Sequence, residues 1–261
     1  MKRKLFFLTL LFSYFFSFSQ SVKYIDENMS PIDSITYSKK CNLVVLKCLN
    51  FKTDSLNINK VVYKYKFGTT DTLGYTQVRK FLSRNSNLKI DKNAFLMIRF
   101  RDTLYDSNTN LKNYKRHVKN HSKIKHADYD FKKNQSNTKK SIEALQKCNK
   151  KFKKLGGEIF NVYNYDYGYR KEYPEVNWIK DRGLFKNAFF KIIYSSSFLL
   201  IKPNGEYFIS GGHLSDSLLK KLLKNNDWSD FRLDWLASYN TLSKSGKGVF
   251  KQSAYHTKHC F

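Results

Sequence analysis

Proline and cysteine are scarce in this chain, with three Pro and four Cys in 261 residues. No stretch rich in Gly and Ser accompanies the few prolines, so composition marks no flexible linker. No two cysteines stand as CxxC, which removes the motif of dithiol redox chemistry and of zinc ribbons. GxSxG, the P-loop and GxGxxG are also missing, and with them the nucleophile elbow and the common nucleotide fingerprints. Acidic residues are few, 21 against 48 basic, for a net charge of +27. Such an excess would suit a nucleic acid, yet only nine of the 48 are Arg, the side chain whose planar fork grips phosphate. Lys, Asn, Phe, Tyr and Ile, all with AT-rich codons, are abundant while Ala is scarce. The expectation is a diffuse affinity for anionic surfaces, in the form of a protein or anionic polymer partner, rather than nucleic-acid recognition.

A single long apolar run is present, and it stands at the N-terminus. Lys2, Arg3 and Lys4 precede 14 apolar, aromatic and small residues from Leu5 to Phe18, fewer than the roughly 20 a bilayer span needs. Ser17 and Ser19 stand three and one before a cut, the pattern of a secretion leader. Residues 1–19 therefore read as a signal peptide, an uncleaved anchor being the alternative, and no cysteine follows for lipid attachment. Losing the three basic leader residues lowers the charge from +27 to +24. The mature chain is expected to be exported, periplasmic or extracellular in a bacterial envelope, without a membrane span.

Residues 20–92 read as an N-terminal α+β segment. CNLVVLKCLNF (41–51) is an apolar strand candidate, and Val61, Tyr63, Tyr65 and Phe67 alternate with Lys64 and Lys66 as a half-buried strand with a wet lysine face. Thr70 or Asp71 then caps a helix bearing Val78, Phe81 and Leu82. On a strand, the odd separation of Cys41 and Cys48 puts them on opposite faces, so they are expected not to bond each other. With Cys148 and Cys260 the four cysteines allow three pairings in an oxidising compartment. AFLMIRF (94–100) is a continuous apolar run of strand length, and Ile142, Leu145, Cys148, Phe152 and Leu155 form a helical stripe ended by Gly156-Gly157. EIFNVYNY (158–165) is the next strand, and FLLI (198–201), Pro203-Asn204-Gly205 and EYFIS (206–210) form a hairpin. A helix follows with Leu218, Leu219, Leu222 and Leu223 facing inward, and residues 229–261 read as a C-terminal tail.

Between residues 94 and 223 this succession of strand, helix, strand, helix, hairpin and helix resembles the thioredoxin-like superfamily, most specifically in SSSFLLIKPNGEYFI. The resemblance implies an α/β (α+β) fold, a central mixed sheet flanked by helices over residues 93–228. Counting back from Gly205, Ser196 falls at the family's cis-proline, and no cysteine follows AFLMIRF where the family carries its thiolate. The implied protein is a non-redox binding or scaffold module with no cofactor and no complete catalytic motif.

Other residues bear on the alternative, a metal-dependent hydrolase or nuclease-like effector working from the basic region. His117 and His121 lie four apart and share a face if helical, so they are the candidate zinc ligands, with His126, Asp128 or Asp130 available to complete a site. Fifteen Lys and Arg against three acidic residues between 111 and 155 make that region an electrostatic patch of net +12. Tyr163, Tyr165, Tyr167 and Tyr169 stand at every second position, one face of a strand able to stack on sugars or bases. A cleft beside Ser196 lined by Asp102, Asp106 or these tyrosines would favour an enzyme. So would a reactive thiol at Cys148.

Overall fold

The computed structural model describes residues 21–53, 55–120, 130–191, 196–211, 216–241 and 244–251, so the signal peptide expected at residues 1–19 lies outside them. The chain is mixed α/β, with two mixed sheets. The smaller sheet has the order β1-β3-β2, from β1 (Ser21–Ile25), β2 (Leu46–Lys52) and β3 (Leu56–Tyr63). Helix α1 (Ser34–Cys41) precedes β2, its start fixed by Asp33, whose carboxylate accepts the Thr36 N–H at 2.8 Å.

This helix overturns the expectation for the first two cysteines. Cys41 ends α1 and Cys48 lies in β2, so the parity rule for a single strand does not apply, and the two form a disulfide with Cα atoms 5.4 Å apart. Closing so short a loop stabilises the fold by about 2.5 kcal/mol on chain entropy alone.

The alternating run 61–67 changes sheet at Lys64. The Val45 carbonyl accepts both the Lys64 N–H at 2.9 Å and the Tyr65 N–H at 3.2 Å. Beyond it β4 (Tyr65–Thr69) becomes an edge strand of the larger sheet. Nor is the lysine face wet. Lys64 and Lys66 are half-buried, each amine 5.1 and 5.0 Å from the ring centre of Tyr65 and Tyr63 respectively, and loss of water holds both amines below the usual lysine pKa.

The larger sheet has the order β4-β9-β8-β5-β6-β7, with β5 (Phe95–Tyr105), β6 (Gly157–Tyr167), β7 (Trp178–Lys180), β8 (Ser196–Ile201) and β9 (Glu206–Ser210). β5, β6 and β7 run parallel, β8 is antiparallel to β5, and β9 is antiparallel to β8. Leu96, Met97 and Ile98 are all fully buried, because a central strand is covered on both faces. The β8–β9 turn is the expected Pro203-Asn204-Gly205, where Gly205 takes φ 87° and a Cβ would meet the Thr70 carbonyl oxygen.

Helix α2 (Thr72–Ser86) is capped by Asp71, which accepts the Gly74 N–H at 2.6 Å, and buries Tyr75, Val78 and Leu82. The β5–β6 crossover contains α3 (Ser107–Asn120) and α4 (Phe131–Lys153), so helix begins well ahead of the apolar stripe 142–155 that the sequence shows. Between β6 and β8 lie a single turn, α5 (Tyr169–Glu172), and a π-helical turn at Lys186–Phe190. After β9 come α6 (Asp216–Lys224), burying all four expected leucines, and α7 (Ser229–Asn240). The last helix is no patternless tail: Phe231 is buried, and the Trp235 indole N–H donates to the Tyr65 carbonyl at 2.7 Å.

One hydrophobic cluster runs from Leu43 through both sheets to Phe250, so the N-terminal segment and α7 share the core of residues 93–228. A buried polar knot reinforces this. The fully buried Glu27 accepts from Lys40 Nζ at 2.6 Å and from the Tyr239 hydroxyl of α7. Burial first, and then the Glu27 charge, pushes the neighbouring Tyr63 hydroxyl up to about 12. Among the described residues no helix is long and apolar enough to cross a membrane.

Candidate functional site

The parallel pairing of β5 and β6 brings two tyrosine-bearing ends into register, with Thr103 opposite Tyr165 and Tyr105 opposite Tyr167. The Tyr105 and Tyr167 rings stack at 5.6 Å with 14° between their planes. Tyr105, Tyr165 and Tyr167 are 36%, 54% and 56% exposed, so neighbouring aromatics do not cover them as they cover an ordinary core ring. Tyr163, two residues before Tyr165, turns inward and packs with Leu104 and Trp178 as a small second core.

Cations surround this end of the sheet. The Arg170 guanidinium lies 5.1 Å from the Tyr163 ring centre and donates to its hydroxyl at 2.6 Å. Arg101 sits 6.0 Å from the Trp178 ring centre, and Lys186 Nζ 5.7 Å from that of Tyr165. The Lys186 amine is held above its usual pKa chiefly by its 2.7 Å hydrogen bond to Asp102, so it stays charged at neutral pH.

The β5–α3 junction, where the thioredoxin-like expectation would place a thiolate, is Asp106-Ser107. Asp106 caps α3 by accepting the Thr109 N–H at 2.6 Å, and its hydrogen bonds with Thr109 hold its carboxyl below the usual range. Ser107 is 5% exposed, and its N–H and hydroxyl both donate to Glu172 of α5, the former at 2.7 Å. Gln135 Nε2 adds a donor to the same carboxylate at 3.0 Å. Desolvation raises the Glu172 pKa, but these donors outweigh it and leave it lowered. A carboxylate so stabilised is a poor general base, and the knot reads as a structural tie between helices.

The candidates from the sequence are dispersed. Asp102 pairs with Lys186 and accepts from Asn164 Nδ2 at 3.1 Å. Ser196 opens β8 opposite Arg101, and its side chain is outside the described part. His117 lies in α3 without a described side chain, while His121, His126 and Asp128 lie outside the described residues. Asp130 instead caps α4, accepting the Lys133 N–H at 2.9 Å. Among the described residues no three His, Cys, Asp or Glu gather as metal ligands, and no cysteine is free, Cys148 being disulfide-bonded.

The sequence reading missed a cavity of about 250 Å³ between α4, the middle of β5 and β6, and the end of α2. Arg99, Gln146, Asn149 and Asn161 give it polar walls, and Ile142, Leu145, Ile159 and Ile179 apolar ones. None of Asp102, Asp106 or the strand tyrosines lines it. Its signal was the arginine inside AFLMIRF, a charge in a run otherwise apolar.

Comparison with protein-family models, curated proteins and solved structures finds no match to this chain.

Proposed function

We propose that this is an exported, non-catalytic binding protein on a thioredoxin-like framework spanning residues 93–228. Its binding face is the tyrosine-lined end of β5 and β6, and its partner an anionic polysaccharide of the bacterial envelope. The order β9-β8-β5-β6, with β8 alone antiparallel among them, supports the framework, since that superfamily joins a parallel crossover pair to a hairpin in this way. A disulfide between Cys41 and Cys48 supports an oxidising compartment. Binding is favoured over catalysis because Asp106 and Ser107 spend their polar atoms on α3 and Glu172.

The observation that carries the reading is the exposure of Tyr105, Tyr165 and Tyr167 on one sheet end beside Arg101 and Arg170. Flat aromatic faces stack on the C–H faces of sugar rings, and the adjacent cations attract carboxylates along the polymer.

Titration with polygalacturonate tests this. Binding is expected to weaken as salt rises from about 50 to 500 mM, because the Debye length shrinks several-fold. The Tyr165→Ala/Tyr167→Ala double variant is expected to bind about tenfold or more weakly, from the stacking lost. Equal binding by that variant, or equal binding of neutral dextran, would contradict the assignment.

A further inference from the structure

We propose that the outer face of α4 is a docking surface for an anionic phospholipid bilayer, on which the chain rests peripherally through a row of lysines. The inference stands apart from the polysaccharide face, which shares none of these lysines.

The argument begins with the charge of α4. Its 23 residues hold eight lysines, no arginine and one acid, Glu143, with Asp130 at the cap before them. Every one of the eight lysines is exposed. At roughly 100° per residue, the seven from Lys132 to Lys151 fall within an arc of about 120°, opposite the buried Ile142, Cys148 and Phe152. The apolar stripe that seats α4 on the sheet thus turns the lysines outward, in a row about 30 Å long. The eighth, Lys153, pairs with Glu158 at 3.2 Å, and among the described residues the other seven have no ion-pair partner. Lys147 stands three and four residues before Lys150 and Lys151, spacings at which like charges destabilise a helix unless counter-charges gather above them. Helix α3 packs against α4 and adds the exposed Lys112, Lys115 and Arg116 to the same field.

The chemistry of the row favours a bilayer among polyanions. A lysine amine is a point charge without the planar fork of arginine, so it suits phosphate head groups that move to meet it. No exposed aromatic ring lies on α4, since Phe131 is half-buried and Phe152 buried, so bases and sugar rings have nothing to stack on. The helix also exposes no large apolar side chain. Contact is therefore electrostatic, without the insertion that anchors an amphipathic helix.

The test is co-sedimentation of the full chain with phospholipid vesicles. Vesicles of equimolar phosphatidylcholine and phosphatidylglycerol are expected to bind it and vesicles of phosphatidylcholine alone are not, with binding lost as salt rises from about 50 to 500 mM. Lys139→Gln/Lys140→Gln/Lys147→Gln/Lys150→Gln is expected to bind at least about 100-fold more weakly, since the attraction grows with each lysine near the surface. Glutamine is about as good a helix former as lysine and the four side chains are exposed, so this variant folds, as circular dichroism can check. Lys39→Gln/Lys220→Gln/Lys221→Gln/Lys224→Gln removes the same charge from exposed positions on α1 and α6. It is expected to bind within about threefold of the parent, because charges beyond about 10 Å are screened at 0.1 M salt. Tyr165→Ala/Tyr167→Ala is expected to bind vesicles as the parent does, which separates this surface from the tyrosine face. Equal binding to neutral vesicles, binding indifferent to salt, or equal losses in the two lysine variants would each overturn the surface. Duplex DNA bound more tightly than the vesicles, and lost in the α4 variant, would overturn the bilayer as its partner.

Discussion

Trp228→Ala is expected to lower stability by about 4–5 kcal/mol, at the upper end for loss of a buried aromatic. Trp228 is fully buried and packs edge-on to Phe67 at 6.0 Å between ring centres. Its indole N–H donates to the Leu222 carbonyl at 2.8 Å, and Lys202 Nζ lies 4.2 Å from its ring centre. The substitution thus opens a cavity, strips the Leu222 acceptor of its donor and removes the face on which a buried cation rests. Single domains are stable by only about 5–15 kcal/mol, so a large share of the fold's margin goes. Urea unfolding followed by circular dichroism reads the change. A loss under about 2 kcal/mol would mean that the site collapses around the gap, contrary to the close packing described.

The second large effect is at Glu206, where Glu206→Ala is expected to cost about 3 kcal/mol by leaving a buried charge unpaired. Lys202 is 3% exposed, and its amine donates to Glu206 Oε2 at 2.7 Å and to the Asn226 carbonyl at 2.6 Å. Arg232 of α7 donates to the other carboxylate oxygen at 2.7 Å. Desolvation raises the Glu206 pKa, but hydrogen bonds from Lys202 and Asn204 and the charges of Lys202 and Arg232 hold it below the usual 4.5. In the unfolded chain this carboxylate takes up its proton near 4.5, and in the folded chain only at lower pH. The stability it contributes is therefore full above that value and is lost as pH falls through the folded pKa. Unfolding measured between about pH 3 and 7 is expected to show a steeper acid decline in the parent than in Glu206→Gln. Because Lys202 touches both Trp228 and Glu206, the two substitutions are expected to be less than additive in combination.

What the sequence revealed was local. The β8–β9 hairpin was readable because Pro203-Asn204-Gly205 separates two apolar runs, and α6 because its four leucines repeat at helical spacing. Asp71 was readable as a cap for the same reason, since its partner N–H is three residues away. Long-range features were not. The Cys41–Cys48 bond depends on where α1 ends and β2 begins, which apolar spacing alone does not define. The change of sheet at Lys64 is set by the Val45 carbonyl, nineteen residues away in sequence. Ser107 meets Glu172 only because α3 and α5 both follow the ends of the paired strands β5 and β6. Of the proposed binding face, the alternating tyrosines were visible in the sequence, while the cations beside them come from β5, α5 and the π-helical turn.

The claim beneath all of this is that the strand framework serves binding, with Asp106 and Ser107 where dithiol chemistry would need a thiolate. Reduction of insulin by dithiothreitol, with and without the purified chain, addresses it most directly. The account predicts a rate indistinguishable from dithiothreitol alone. Acceleration of the reaction that disappears on alkylating the reduced chain, or in Cys41→Ser, would show a working thiol centre and contradict it.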